Sequence, residues 1–217
     1  MTGDGMAAAG RTAGPAVKYG VVAALLTVGP SVRLSAQLSL RPSLGLRYTS
    51  TMVRDTIVEP LTVRPALAPT LALTVTTPLE RGWAGQATLD FSTSGLQRHD
   101  ADGTTADLGR VSTLAFSVGV RRGVAPGLSA AAGAGGLKYF PANHTGIFRQ
   151  GAGSIAGLGV VTVEYAPAAA ARYGLAAQVR YDVHRFITPA LQREGFDSPR
   201  TVHRVALAVR VAWQAAR

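Results

Sequence analysis

From Arg200 to Trp213 the chain alternates, most regularly after His203. Val205, Leu207, Val209, Val211 and Trp213 fall on one side, and Arg204, Ala206, Ala208, Arg210 and Ala212 on the other. Successive side chains of an extended strand point to opposite faces. One face here is wholly apolar and ends in an aromatic ring; the other is small or cationic. The same two-residue period returns about eight times along the chain, and it is the constraint that every other reading has to satisfy.

The strands follow from that period. The first runs about 37–49, with Leu38, Leu40, Leu44, Leu46 and Tyr48 opposing Ser39, Arg41, Ser43, Gly45, Arg47 and Thr49. The second, about 67–79, sets Leu71, Leu73 and Val75 against Thr70, Ala72, Thr74 and Thr76. The third, about 82–93, sets Trp83, Ala87, Leu89 and Phe91 against Gln86, Thr88, Asp90 and Ser92. The fourth, about 109–121, sets Leu114, Phe116, Val118 and Val120 against Thr113, Ala115, Ser117 and Gly119. The fifth, about 128–140, is Ala- and Gly-rich. The sixth, about 148–166, has Val161, Val163 and Tyr165 outward, Thr162 and Glu164 inward, and a bulge expected among Gly151, Gly153 and Gly157. The seventh, about 172–185, sets Tyr173, Leu175, Val179 and Tyr181 against Gln178, Arg180, Asp182 and His184. The eighth is the segment above. Connections alternate between long (50–66, 94–108, 186–199) and short (80–81, 122–127, 167–171), with 141–147 intermediate.

Cysteine is absent, which excludes disulfides, thiolate metal sites and a lipid-modified cysteine. The net charge of +10 is spread along the chain with no aromatic–basic platform, so nucleic acid is not an expected partner and anionic lipid headgroups are. At the N-terminus Arg11 and Lys18 precede a short apolar run, Tyr19 to Val28, then Gly29-Pro30 and Leu34-Ser35-Ala36. That order reads as a secretory signal over 1–36, cleaved after Ala36, leaving a barrel domain over 37–217. The apolar run is shorter than the ~20 residues of a spanning helix.

Amphipathic strands that follow an export signal point to a lipid-embedded ring. In lipid every backbone amide and carbonyl has to pair within the protein, so strands cross only as a closed barrel, apolar face outward. The expected fold is all-β, an eight-stranded antiparallel up-and-down transmembrane barrel. Its lumen would hold Arg41, Arg47, Gln86, Asp90, Glu164, Arg180, Asp182, His184, Arg204 and Arg210. Glu164, Arg41, Arg210 and Gln86 would lie toward the periplasm; Asp90, Asp182, His184, Arg47 and Arg204 toward the outside. Eight strands leave room only for side chains, so a packed plug is expected, with the small residues of the fifth strand making space for Arg41 and Arg47. Aromatic rings prefer the two interfaces. Trp83, Tyr165, Tyr173 and Trp213 would mark the periplasmic rim, and Tyr48, Phe91, Tyr139, Phe140, Phe148, Tyr181 and Phe186 the outer one. Arg81, Arg121, Arg122 and Arg172 would flank the periplasmic rim near lipid headgroups.

The signal ending Leu34-Ser35-Ala36, the eight amphipathic strands and the terminal Leu207-x-Val209-x-Val211-x-Trp213 resemble the OmpA/OmpX/OmpW type of small outer-membrane barrel. The resemblance implies a location in the outer membrane of a Gram-negative-type bacterium. It also implies that the assembly machinery reads the last strand through Leu207, Val209, Val211 and Trp213. Outer-membrane lipids and lipopolysaccharide are the expected partners, a monomer the expected state, and no metal or other cofactor is expected. Here four residues, Gln214 to Arg217, follow the aromatic with which such chains usually end.

Other motifs carry less. Gly133-Ala-Gly135 and Gly151-Ala-Gly153 lack the Lys-Ser/Thr ending of a phosphate loop. Asp182 and His184, with Ser92 or Ser117, contain the groups of a hydrolase, but a lumen ion-pair role fits His184 better. His99, His144, Asp100 and Asp102 read as a solvated loop. The expected role is non-catalytic: envelope structure, surface interaction or limited passage of small solutes. The alternatives are a lipid-modifying outer-membrane enzyme and an exported lipocalin-like binding barrel.

Overall fold

The computed structural model describes residues 38–55, 61–144 and 146–211. The expected leader and Trp213 lie outside them. The strands are β1 (Ser39–Thr49), β2 (Val53–Asp55), β3 (Leu61–Pro65), β4 (Ala68–Pro78), β5 (Trp83–Asp100), β6 (Thr105–Ala125), β7 (Leu128–Pro141), β8 (Ala156–Tyr165), β9 (Leu175–Phe186) and β10 (Arg200–Val211). Eight of them close into a ring, β1-β4-β5-β6-β7-β8-β9-β10, each antiparallel to both neighbours. The seam joins β1 to β10, from Ser43 opposite Arg210 to Thr49 opposite Arg204. The short pair β2 and β3 stands outside the ring order and adds to the upper half of β5, Leu61 opposite Asp100.

One end of the ring carries tight connections. Glu80–Gly82 is a single 3-10 turn with Arg81 and Gly82 both at positive φ (57° and 74°). Pro126-Gly127 joins β6 to β7. The β8–β9 connection contains the helical turn α1 (Ala168–Ala171), which displaces the start of β9 to Leu175; Tyr173 sits in that connection rather than in the strand. The opposite end carries longer excursions, including α2 (Pro189–Arg193), whose first turn is capped by the Thr188 hydroxyl accepting from the Leu191 amide at 3.3 Å.

Two connections differ from the sequence expectation. The long loop over 94–108 is mostly hairpin: β5 and β6 continue their pairing to His99 opposite Thr105, with a register shift between Gly95 and Gln97. Only Ala101–Thr104 turns, and Thr104 donates to the Asp102 carboxylate through its amide (2.9 Å) and hydroxyl (2.7 Å), holding that carboxyl below its usual pKa. β8 is also shorter than expected. It begins at Ala156, so Gly151 and Gly153 precede it, Gly157 pairs regularly opposite Gly136 with no bulge in the ladder, and Phe148 lies in a separate 3-10 turn, Gly146–Phe148.

The ring changes its polarity along its length. Next to the tight-turn end, the outward positions are apolar and exposed: Leu44, Leu71, Leu89, Phe116, Val163 and Leu207 among them. The inward positions there are Thr, Ser, Arg, Asp and Glu. Beyond Phe91 and Leu114 the outward face turns polar: Thr93 beside Ser112 (3.2 Å between hydroxyls), then Gly95 opposite Arg110 and Gln97 opposite Asp107. At the same level the inward face turns apolar, with Leu96, Val111, Leu137, Leu158, Val160 and Val202 buried in one cluster. The lumen is thus not polar throughout, as the sequence reading had it. Its long-loop end is an ordinary hydrophobic core, which Met52, Val53, Val63, Phe148 and Leu191 close over.

Tyr139, Phe148 and Phe186 belong to that core, not to an outer aromatic rim. All three are buried, with ring centroids 5.2 Å apart for Tyr139–Phe186 and 6.1 Å for Phe148–Phe186. Tyr139 shares the odd parity of the lumen-facing Gly133 and Gly135, so strand geometry places it inside. The remaining described rim candidates are exposed: Trp83, Tyr165 and Tyr173 at the tight-turn end, and Tyr48, Phe91, Phe140 and Tyr181 at the upper edge of the apolar band. Arg122 lies over the Trp83 ring at 5.2 Å and Arg172 over Tyr173 at 4.6 Å.

Candidate functional site: the charged lumen

Register explains how long charged side chains fit inside so narrow a ring. Asp90 stands between Ala72 and Ala115, Arg47 between Ala68 and Ala206, and Arg210 between Ser43 and Ala176. Each of these three has small neighbours on both flanking strands, and the volume they leave is taken by the guanidinium or carboxylate, whereas Asp182 stands directly opposite Arg204.

The charges form two tiers. The upper tier joins β1, β5, β9 and β10. Both Arg47 terminal nitrogens donate to the Asp90 carboxylate, Nη2 to Oδ2 at 2.6 Å, and Nη1 also reaches Ser92 Oγ at 3.2 Å. Arg204 Nη2 approaches Asp90 Oδ1 at 3.7 Å and donates to Thr113 Oγ1 at 3.3 Å. Arg180 Nε donates to Asp182 Oδ1 at 2.7 Å, and Arg47 Nη2 lies 3.8 Å from Asp182 Oδ2. His184 Nε2 and the Tyr139 hydroxyl share a hydrogen bond of 2.6 Å at the boundary with the apolar core.

The lower tier centres on Glu164. Arg121 donates to both of its oxygens (2.6 and 3.0 Å), and Arg210 Nη2 to Oε1 (2.6 Å). Arg121 also donates to Ser129 Oγ at 2.6 Å. This corrects the placing of Arg121 at a lipid-facing rim. Its odd position continues Thr113, Ser117 and Gly119, the inward set of β6, and that parity was the signal for it. The small residues of β7 accordingly receive Arg121, not Arg41 or Arg47. Arg41 donates to Ser39 Oγ at 3.0 Å near the tight-turn mouth. Gln86 lines a space beside the lower tier with Thr74, Thr162 and Gln178.

That space is about 10 Å³, close to the room one water needs. In the lumen Arg41, Arg47, Arg121, Arg180, Arg204 and Arg210 meet Asp90, Glu164 and Asp182, so cations are in excess. Several buried guanidinium nitrogens have no hydrogen-bond partner, namely Arg47 Nε, Arg180 Nη2, Arg204 Nη1, and Nε and Nη1 of Arg210, and Asp182 Oδ2 is likewise without one.

The groups that could resemble a hydrolase are not brought together. His184 is joined to Tyr139, and Ser92 to Arg47 and Thr113 (2.9 Å). In the upper hairpin His99 accepts from Arg64 Nε at 3.0 Å, and Asp100 pairs with Arg98 at 2.6 Å. Among the described residues, no three His, Asp or Glu side chains gather as a metal site.

No protein-family model matches the sequence, and no curated protein does. Among the solved structures that the chain is similar to are outer-membrane and designed barrels. The outer membrane protein Ail of Yersinia pestis in a phospholipid bilayer nanodisc is 13% identical, with TM-score 0.45 over 81% of this chain and 99% of that one. The outer membrane protein OprG of Pseudomonas aeruginosa is 10% identical, with TM-score 0.47 over 82% and 96%. A de novo designed transmembrane β-barrel is 11% identical, with TM-score 0.38 over 81% and 95%.

Proposed function

We propose that the chain is an integral outer-membrane barrel whose lumen is plugged by its own ion pairs, and that it serves the envelope as a structural or surface-interacting element, not as a catalyst. One observation carries this reading. The outward face changes from apolar to polar at the level where the inward face changes from charged to apolar. A soluble barrel has no reason to bury Arg47 and Asp90 while exposing Leu44, Leu71 and Leu207; a barrel in hydrocarbon has to. The inversion then marks the upper membrane boundary, and the tight-turn end faces the periplasm.

The remaining parts follow from that orientation. Lipids and lipopolysaccharide are the partners of the apolar band and its rims. The assembly machinery reads Leu207, Val209, Val211 and Trp213, and the protein acts as a monomer. Outer-membrane fractionation of expressing cells, with gel mobility read before and after boiling, tests the reading. A membrane-embedded, heat-modifiable band is expected. A mature chain that stays in the aqueous fraction with one mobility overturns it in favour of a soluble, lipocalin-like barrel.

A further inference from the structure

A second cavity opens at the tight-turn mouth, with a volume of about 470 Å³, in the range of small-molecule pockets. Arg41, Arg172 and Arg210 line it, together with Tyr173, Leu175 and small residues of the β8–β9 connection; among the described residues no acidic side chain does. Among the described residues, the carboxylate beside Arg210 is Glu164, already engaged by Arg121 and Arg210. Arg210 is the telling residue. Its side chain is only 8% exposed, one terminal nitrogen is spent on Glu164, and Nε and Nη1 have no partner. A buried guanidinium with free donors is expensive unless an anion completes it. Arg41 uses only Nε, toward Ser39, and Arg172 is held over the Tyr173 ring.

We infer that this vestibule is a binding site for a small oxyanion of the phosphate type, held by Arg210 from within and by Arg41 and Arg172 at the rim. Forked guanidinium donors match phosphate oxygens two at a time, and the Tyr173 ring fixes the direction of one of them. The inference rests on the cavity and its unpaired donors, and holds whichever membrane role the barrel has. The phosphate has two sources with the same chemistry: a free phosphorylated solute, or the headgroup of a phospholipid at the barrel's edge.

The test uses the full-length barrel folded in an uncharged sugar detergent, titrated with inorganic pyrophosphate and followed by backbone amide NMR shifts. Shifts of Arg41, Arg172–Leu175 and Arg210 that saturate are expected for a free solute. In a parallel arm, nanodiscs of phosphatidylcholine are compared with nanodiscs containing phosphatidylglycerol; the same residues shifting only with the anionic lipid assigns the site to headgroups. Arg172→Gln and Arg41→Gln lie at the rim and should each weaken binding about tenfold, with heat-modifiable mobility retained. Absence of saturable shifts in both arms overturns the site, as do shifts that survive in the Arg41→Gln/Arg172→Gln double variant. A barrel that loses heat modifiability altogether would speak against the membrane reading instead, so the two failures are distinct.

Discussion

Arg47 on β1 and Asp90 on β5 form a two-armed ion pair across the lumen, passing inside the intervening β4, with side chains 1% and 2% exposed. Asp90 also lies nearest to Arg204, so one carboxylate steadies two cations. Asp90→Asn should therefore destabilise the barrel by about 3–5 kcal/mol and by more than Arg47→Gln, because it leaves Arg204 without its ion-pair partner and adds to the excess of buried cations, whereas without Arg47 the Asp90 carboxylate keeps Arg204 and Asp182 keeps Arg180. Urea unfolding of both variants and the Arg47→Gln/Asp90→Asn double variant in lipid vesicles measures the coupling; equal single effects would contradict the geometry.

How much of this was legible in sequence depends on which rule each residue obeyed. β10, β1 and β9 repeat one parity from end to end inside the apolar band, and their inward and outward sets could be read directly. Beyond that band the alternation reverses: Leu96 and Val111 turn inward while Thr93 and Arg110 turn outward. A search for apolar-outward strands therefore reads the upper half of β5 and β6 as loop. Tyr139 and Phe186 were misplaced for a related reason. The interfacial preference of aromatic rings is weaker than the facing that the strand imposes, and their inward parity decided the outcome. The pairing of Arg121 with Glu164 needed both parity and the ring's curvature, and only the first is written in the chain.

The polarity inversion makes a graded prediction for the outer face. Leu207→Arg, in the apolar band, should lower stability in bilayers by about 2–4 kcal/mol, whereas Thr201→Arg, above the boundary on the same face of β10, should change it by about 1 kcal/mol or less. Folding titrations in vesicles compare them. Equal penalties would mean that the band does not contact hydrocarbon.

β6 and β7 approach closely at Gly135, where a Cβ would fall on the Phe116 carbonyl and within 2.7 Å of the Ser117 Cα. Backbone cannot step aside as a side chain can, so Gly135→Ala should destabilise by about 1–3 kcal/mol. Gly157 has nothing within 4 Å, and Gly157→Ala should be tolerated. Heat-modifiability midpoints of the pair check the contrast.

With about 10 Å³ beside the lower charge tier and an apolar core above the upper one, the folded protein should pass no large, stable current in planar bilayers. Phe148→Ala should lower stability by about 3–5 kcal/mol, by opening a cavity in the upper core, yet leave the bilayer silent, since the tiers below remain. Single-channel recording reads this, and a steady conductance in the unaltered protein would contradict the plug.

The seam between β1 and β10 fixes the timetable of the protein's birth. The earliest strand of the ring waits for the latest before its outer edge is satisfied. Until Arg200–Val211 has left the ribosome, any partial sheet carries two raw margins that water can serve but acyl chains cannot. Bare in lipid, such a half-built sheet would leave both margins unpaired, so they have to be covered until β10 meets β1. A fragment lacking β10 has nothing to pair with the free edge of β1 and cannot close this ring.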